Sequence, residues 1–247
     1  MSTEDAVAAS AIAHAAGQLL LEVRERVSDP AERKTAGDTE AQRYIAEQLF
    51  RRFPADAVLS EEAPDPAERL LASRVWIVDP LDGTREFSEP PREDWAVHIA
   101  LVQDGELVLG VVALPAMGLT LCSAGPLPEP SPVGSVPRVA VSRTRPAGEA
   151  LAVAESLGAE LVPMGSAGAK SMAVVRGTAD VYLHSGGQWE WDSAAPVAVA
   201  GAAGLHVSRI DGAPLRYNQE NPWLPDLLVC HRSLAERVIE SCQAIMG

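Results

Sequence analysis

The 247-residue chain is 47% hydrophobic and 4% aromatic, so it has the apolar content to bury a core and is not disordered over most of its length. Thirty-four acidic residues against twenty basic ones leave a formal net charge of -14, which argues against a nucleic-acid polymer or a membrane surface as partner, because both need a positive field. Cys122, Cys230 and Cys242 form no CxxC pair, which argues against a zinc site or disulfide scaffold and fits a reducing cytoplasm.

The start, MSTEDAVAAS, lacks the basic residues and apolar core of a signal peptide, and no run reaches the ~18 apolar residues of a membrane span. Residues 4–26 place Ile12, Ala16, Leu19, Leu20 and Val23 at helical spacing, an amphipathic helix. The polar stretch SDPAERKTAGD reads as a connection, with a second helix expected from Asp38 or Thr39 and Ile45, Leu49 and Phe53 turned inward. Ala57-Val58-Leu59 and RVWIV are strands, ending at Ser60-Glu61-Glu62 and at Asp79-Pro80. Residues 95–124 read as an antiparallel meander: WAVHIALV alternates, Asp104-Gly105 is a hairpin turn, and ELVLGVVAL returns.

Five prolines crowd SAGPLPEPSPVGSVPR, which reads as a linker or surface loop and places a boundary between subdomains 1–134 and 135–247. Beyond it VAVS is a strand, residues 146–157 a helix stopped by Gly158, LVPMG a strand, and Ala167 to Arg176 a helix stopped by Gly177. ADVYLHS, a helix from Asp192 to Ala203 stopped by Gly204, a hairpin at Asp211-Gly212, a strand over Asp226 to Cys230 and a helix from residue 232 complete the chain. This alternation predicts an α/β layered arrangement.

Four acidic positions stand out by context. Glu61 follows a strand, Asp79 and Asp82 lie in Asp79-Pro80-Leu81-Asp82-Gly83-Thr84, and Asp192 opens a helix. Acids at strand ends and helix starts can converge at one end of a sheet, and clustered carboxylates repel unless cations sit among them. Mg2+, a hard oxygen-loving ion that shares its ligands with phosphates, suits such a cluster, and the Leu81 carbonyl is an extra oxygen. Gly83 and Thr84, and Gly165-Ser166-Ala167, offer helix-terminal N–H groups that favour phosphate; Lys170 lies one turn further on. Each feature also has an ordinary reading. DPLDGT can be a plain turn, Asp38 and Asp192 helix caps, Glu61 and Glu62 solvated acids, Gly165-Ser166 a simple helix entry and Lys170 a solvated lysine. His98 reads as structural, and Trp189 and Trp191 as packing.

Taken together and in order, WIVDPLDGTREF, the upstream Ser60-Glu61-Glu62 and the downstream WDSAAP resemble the three signatures of the inositol monophosphatase superfamily, over the chain from first helix to last. DGTREF, VSRTRP, GSAGAK and QWEWDSAAP are most similar to its CysQ-type 3′(2′),5′-bisphosphate nucleotidases of actinobacterial kind. The resemblance implies an αβαβα sandwich of two subdomains and a lithium-sensitive phosphatase with two or three Mg2+ ions. It would be cytoplasmic, its homodimer inferred from the family alone. Its expected substrate is 3′-phosphoadenosine 5′-phosphate, cleaved to AMP and phosphate in sulfate assimilation. It further implies metal ligation by Glu61, Asp79, Leu81 (carbonyl), Asp82 and Asp192, with Asp79 bridging, and water activation by Thr84 with Asp38, since Thr35-Ala36-Gly37-Asp38 keeps the family's Thr-x-x-Asp spacing. Gly83, Thr84 and Ser166 would hold phosphate oxygens, and Lys170 and Arg143 the second phosphate or the nucleotide. Ser60 and Pro196 depart from glycines common in the family. The competing readings are an inositol monophosphate or fructose 1,6-bisphosphate phosphatase, including one of broad specificity, and a non-catalytic phosphate- or metal-binding regulator; retention of every expected acid and of Thr84 argues against the last.

Overall fold

The computed structural model describes residues 2–246. The first half runs α1 (Thr3–Arg26), α2 (Pro30–Arg52), β1 (Ala57–Ser60), β2 (Arg74–Asp82), the one-turn α3 (Thr84–Phe87), β3 (Ala96–Gln103), β4 (Glu106–Leu114) and β5 (Leu119–Cys122). The second runs β6 (Arg138–Ser142), α4 (Gly148–Leu157), β7 (Glu160–Met164), α5 (Ala167–Val175), β8 (Val181–Trp189), α6 (Glu190–Ala202), β9 (His206–Ser208), β10 (Trp223–Cys230) and α7 (Ala235–Met246). Residues 123–137, the proline-rich connection, carry no helix or strand.

The strands form two five-stranded sheets, ordered β1-β2-β3-β4-β5 and β7-β6-β8-β10-β9. In the first, β1 runs parallel to β2 and the rest is the expected meander. In the second, β6 is parallel to both neighbours and β10 antiparallel to both of its own.

Five layers follow from which faces the apolar residues cover. Ile12, Leu20 and Ile45 of α1 and α2 pack with Trp76 and Ile99 on one face of the first sheet. Ile77, Ala100 and Val112 on its other face meet Met172 and Val199 of α5 and α6, and these helices also cover Tyr182 and Leu227 of the second sheet. The far face of that sheet, with Val139, Leu183 and Leu228, is closed by Val153 of α4 and Val238 of α7. The order is therefore αβαβα, as the resemblance implied. Because β2 is buried on both faces, RVWIV reads as a continuous apolar run rather than an alternating one. By length and composition α1 would be apolar enough to cross a membrane; here Ala9, Ile12, Ala16, Leu20 and Val23 are spent on the core.

Three sequence expectations are corrected. α2 begins at Pro30, not near Asp38, and SDPAERKTAGD is mostly helix: Asp29 caps it by accepting from the Ala31 and Glu32 amides, and Pro30 takes the first helical position. Asp38 is therefore in mid-helix and is not a cap. The turn at Asp211-Gly212 exists, closed by Arg209 N–H to Ala213 O at 2.8 Å, but it is not a tight hairpin: it lies within residues 209–222, the long connection between the antiparallel pair β9 and β10. Asp192 is the third residue of α6, not its cap; its carboxylate reaches back to the Trp189 amide at 2.6 Å.

Candidate active site

The C-terminal ends of β1 and β2 meet the N-termini of α5 and α6. Asp79 pairs with His98 and Asp82 with Ala96, and the ladder slips between them. Pro80, which has no N–H to give the ladder, lies in that slip, and the Leu81 amide turns instead to Asp79 Oδ1 at 3.0 Å. The irregularity brings two carboxylates from one strand to one side. Asp192 arrives from α6, and oxygens of Asp79, Asp82 and Asp192 lie within 4.8 Å of one another. Glu61, just past β1, lies close enough to Asp79 for their charges to interact.

The Leu81 carbonyl faces the Thr84 hydroxyl at 3.1 Å, and Asp38 Oδ1 lies 3.4 Å from the same hydroxyl. Asp38 gets there because Gly37 lets α2 lie against β2 and α3: a Cβ at that position would fall 2.7 Å from Phe87 Cε1 and 2.9 Å from Leu81 Cδ2.

These carboxylates hold their protons tightly. Burial, then the charges of Glu61, Asp82 and Asp192, push Asp79 well above the usual carboxylate range. Loss of hydration, then Asp82, raises Asp192 to about 7, although the Trp189 amide pulls the other way. Glu61 is likewise raised to about 7, first by desolvation. Asp38 rises to about 6, from desolvation and then Glu62. Buried charges in proteins are paired or hold metal ions. With oxygen donors throughout, the cluster fits a hard divalent cation.

The remaining expected residues divide. Gly83 and Thr84 do open a helix, of a single turn. Ser166 is at the site, but its cradle is already filled: the Ser166 hydroxyl (2.5 Å) and the amides of Gly168 (2.6 Å) and Ala167 (3.2 Å) all donate to Asp82. Those donors fix a carboxylate rather than wait for a phosphate. Lys170 is buried, with its ammonium donating to the carbonyls of Ser166 (2.6 Å) and Gly165 (3.2 Å). Arg143 does not reach the site; it is bound by Glu86 at 2.6 Å and Glu89 at 2.8 Å. His98 is structural as expected, yet it touches both metal-site segments, with Nδ1 3.0 Å from the Trp191 carbonyl and Nε2 3.3 Å from Asp82.

A cavity of about 470 Å³ opens off Asp82 and Asp192 and is also lined by Lys170, Arg145, Trp189 and Trp223. Arg145 and Trp223 are not singled out by the sequence, which reads Trp189 as packing. The available signal was VSRTRP, whose second arginine lies two residues from the one singled out.

A layered α/β fold that gathers Asp79, Asp82 and Asp192 beside a threonine–aspartate pair defines a metal-dependent phosphatase. The inositol monophosphatase family profile matches residues 1–246, and the chain belongs to that family. It is 51% identical over 245 aligned residues to the 3′-phosphoadenosine 5′-phosphate phosphatase of Mycobacterium leprae, covering 94% of this chain and 90% of that protein. It is 35% identical over 201 residues to the 3′(2′),5′-bisphosphate nucleotidase CysQ of Escherichia coli, covering 77% and 81%. Among solved structures, CysQ from Bacteroides thetaiotaomicron superposes with a TM-score of 0.77 at 29% identity, covering 93% of this chain and 97% of that one. Inositol monophosphatase II from Staphylococcus aureus superposes with a TM-score of 0.80 at 20% identity over 96% and 95% of the two chains, a likeness of fold.

Proposed function

We propose that this phosphatase is Mg2+-dependent and hydrolyses 3′-phosphoadenosine 5′-phosphate to AMP and phosphate, in the cytoplasm and in the service of sulfate assimilation. The observation that carries the reading is the carboxylate cluster, with oxygens of Asp79, Asp82 and Asp192 within 4.8 Å and Asp38 and Thr84 beside it. The relatives named for this substrate, at about half identity over nearly the whole chain, support the choice of nucleotide.

Glu61, Asp79, the Leu81 carbonyl, Asp82 and Asp192 would hold the ions. Divalent cations bound there supply positive charge to the phosphoryl oxygens and acidify water. Thr84 lies between the reacting region and Asp38. Its hydroxyl takes the proton of the attacking water as it passes its own to Asp38, whose carboxyl, raised to about 6, suits a base working near neutral pH. Backbone N–H groups of Gly83 and Thr84 would meet phosphoryl oxygens. Ser166, with the first amides of α5, holds Asp82 in place.

The test is phosphate release with Mg2+ from 3′-phosphoadenosine 5′-phosphate and from inositol 1-phosphate. The reading expects a clear preference for the nucleotide. Equal or reversed rates would remove the substrate assignment while leaving the phosphatase class. Release from neither would favour a non-catalytic binding role.

A further inference from the structure

We propose that the part of the cavity lined by Arg145, Trp189 and Trp223 seats the nucleoside 5′-phosphate of the substrate, with Arg145 meeting the phosphate that is not cleaved and the two indoles taking the base. The proposal rests on the nucleotide reading above and assigns residues to it.

The positive charge comes by comparing three cations. Arg143 is neutralised by Glu86 and Glu89. Lys170 is buried and turned onto two carbonyls. Arg145 is exposed, lines the cavity and forms no ion pair among the described residues; the one hydrogen bond of this residue runs from its backbone amide to Ser142 Oγ at 3.2 Å. A guanidinium with its donors free, in a cavity that also contains Asp82 and Asp192, is the group equipped to take a second phosphate by paired hydrogen bonds.

The aromatic side is built into the backbone. Trp189 and Trp223 are 40% and 43% exposed, with ring centroids 5.1 Å apart, edge to face. Trp223 lies directly on Gly187, where a Cβ would fall 1.6 Å from Trp223 Cζ2 and where φ is +91°. Only glycine at that position lets the indole cross the strand. Gln188, lining the same cavity, is 6% exposed and neither end of its amide is hydrogen-bonded. Such a group in a folded protein calls for a partner, and an amide matches the paired donor and acceptor of an adenine edge. One face of Trp189 is stacked on Trp191 at 5.2 Å between ring centroids, and the indole surface that Trp189 and Trp223 still expose suits a flat base, whichever base it is.

The experiment compares kcat/KM of the wild-type, Arg145→Gln, Arg143→Gln and Trp223→Ala enzymes on 3′-phosphoadenosine 5′-phosphate, 3′-AMP and inositol 1-phosphate. Arg145→Gln is expected to lower kcat/KM about tenfold or more for the bisphosphate and much less for 3′-AMP. Trp223→Ala is expected to raise KM for both nucleotides relative to inositol 1-phosphate. Both side chains are exposed, and a thermal melt checks that each variant folds. The proposal is overturned if Arg145→Gln lowers all three substrates alike or none, or if Arg143→Gln alone removes the preference for the bisphosphate. A wild-type enzyme with no preference for the bisphosphate overturns the nucleotide reading and this proposal with it, an outcome distinct from a selective enzyme whose selectivity ignores Arg145.

Discussion

Asp79 is almost fully buried among like charges, a position that favours function over stability. Asp79→Asn should remove turnover by about a thousandfold, on the scale of losing a principal charge-stabilising group, measured as initial rate at saturating Mg2+. The same substitution should stabilise the protein in excess EDTA at pH 8, where the wild-type carboxylate is forced toward ionisation. A gain of 1 kcal/mol appears as roughly 2–4 °C in Tm for a chain of this size. A variant that kept near-normal activity, or melted lower in EDTA, would contradict the assignment. Ser166 makes a different test. Its hydroxyl donates to Asp82 and accepts from the Ala169 amide at 2.8 Å, so Ser166→Ala should cost about 1 kcal/mol as a lost helix cap. It should also weaken Mg2+ activation by about 10–100-fold, as loss of a group that orients a ligand does; Mg2+ titration of the rate separates the two effects.

At the level of elements, the position of Asp38 depends on how closely α2 lies on β2 and α3. Gly37→Ala gains about 1 kcal/mol of intrinsic helix preference but meets Phe87 and Leu81, where overpacking costs about 1–3 kcal/mol. The expected result is a small net loss of stability and a larger fall in kcat, with Mg2+ affinity kept, because Asp38 moves from Thr84 while the carboxylate cluster stays. Kinetics and a denaturant melt on one preparation decide it.

The same element shows what the sequence makes legible. Strand ends, caps and the Asp104-Gly105 turn are local signals, so Glu61, Asp79, Asp82 and Asp192 were readable as one cluster. The start of α2 was missed because Pro30 and Gly37 look like breakers, although Asp29-Pro30 is a start signal in its own right. The two arginines of VSRTRP are beyond local reading: Arg143 is drawn to Glu86 and Glu89, more than fifty residues earlier, and only the packed chain brings them together. For the same reason nothing local tells that the N–H groups after Ser166 serve Asp82.

Across the whole molecule the raised carboxyls set a pH dependence. Asp38, Glu61 and Asp192 bind protons more tightly in the folded, metal-free protein, at about 6, 7 and 7, than in an unfolded chain at roughly 4. At these groups the folded state therefore holds more protons between those values and they make stability fall as pH rises through them, against a smaller opposite pull from His98, His184 and His206, whose burial lowers their pKa. Melts in EDTA should show Tm declining from about pH 4 to about pH 7.5, and saturating Mg2+ should flatten the decline by displacing those protons. A Tm that rose over this range in EDTA would contradict the picture. The repulsion also has a location. Asp79 and Asp82 belong to the first sheet, whereas Asp192 belongs to the helical layer shared by both sheets, so the like charges press on a seam between layers. An ion bound there would rivet that seam, and its loss would loosen it. Starved of that ion, the chain would be expected to expose its interior more often and to be cleared sooner by proteases, so that its lifetime would follow divalent-cation supply.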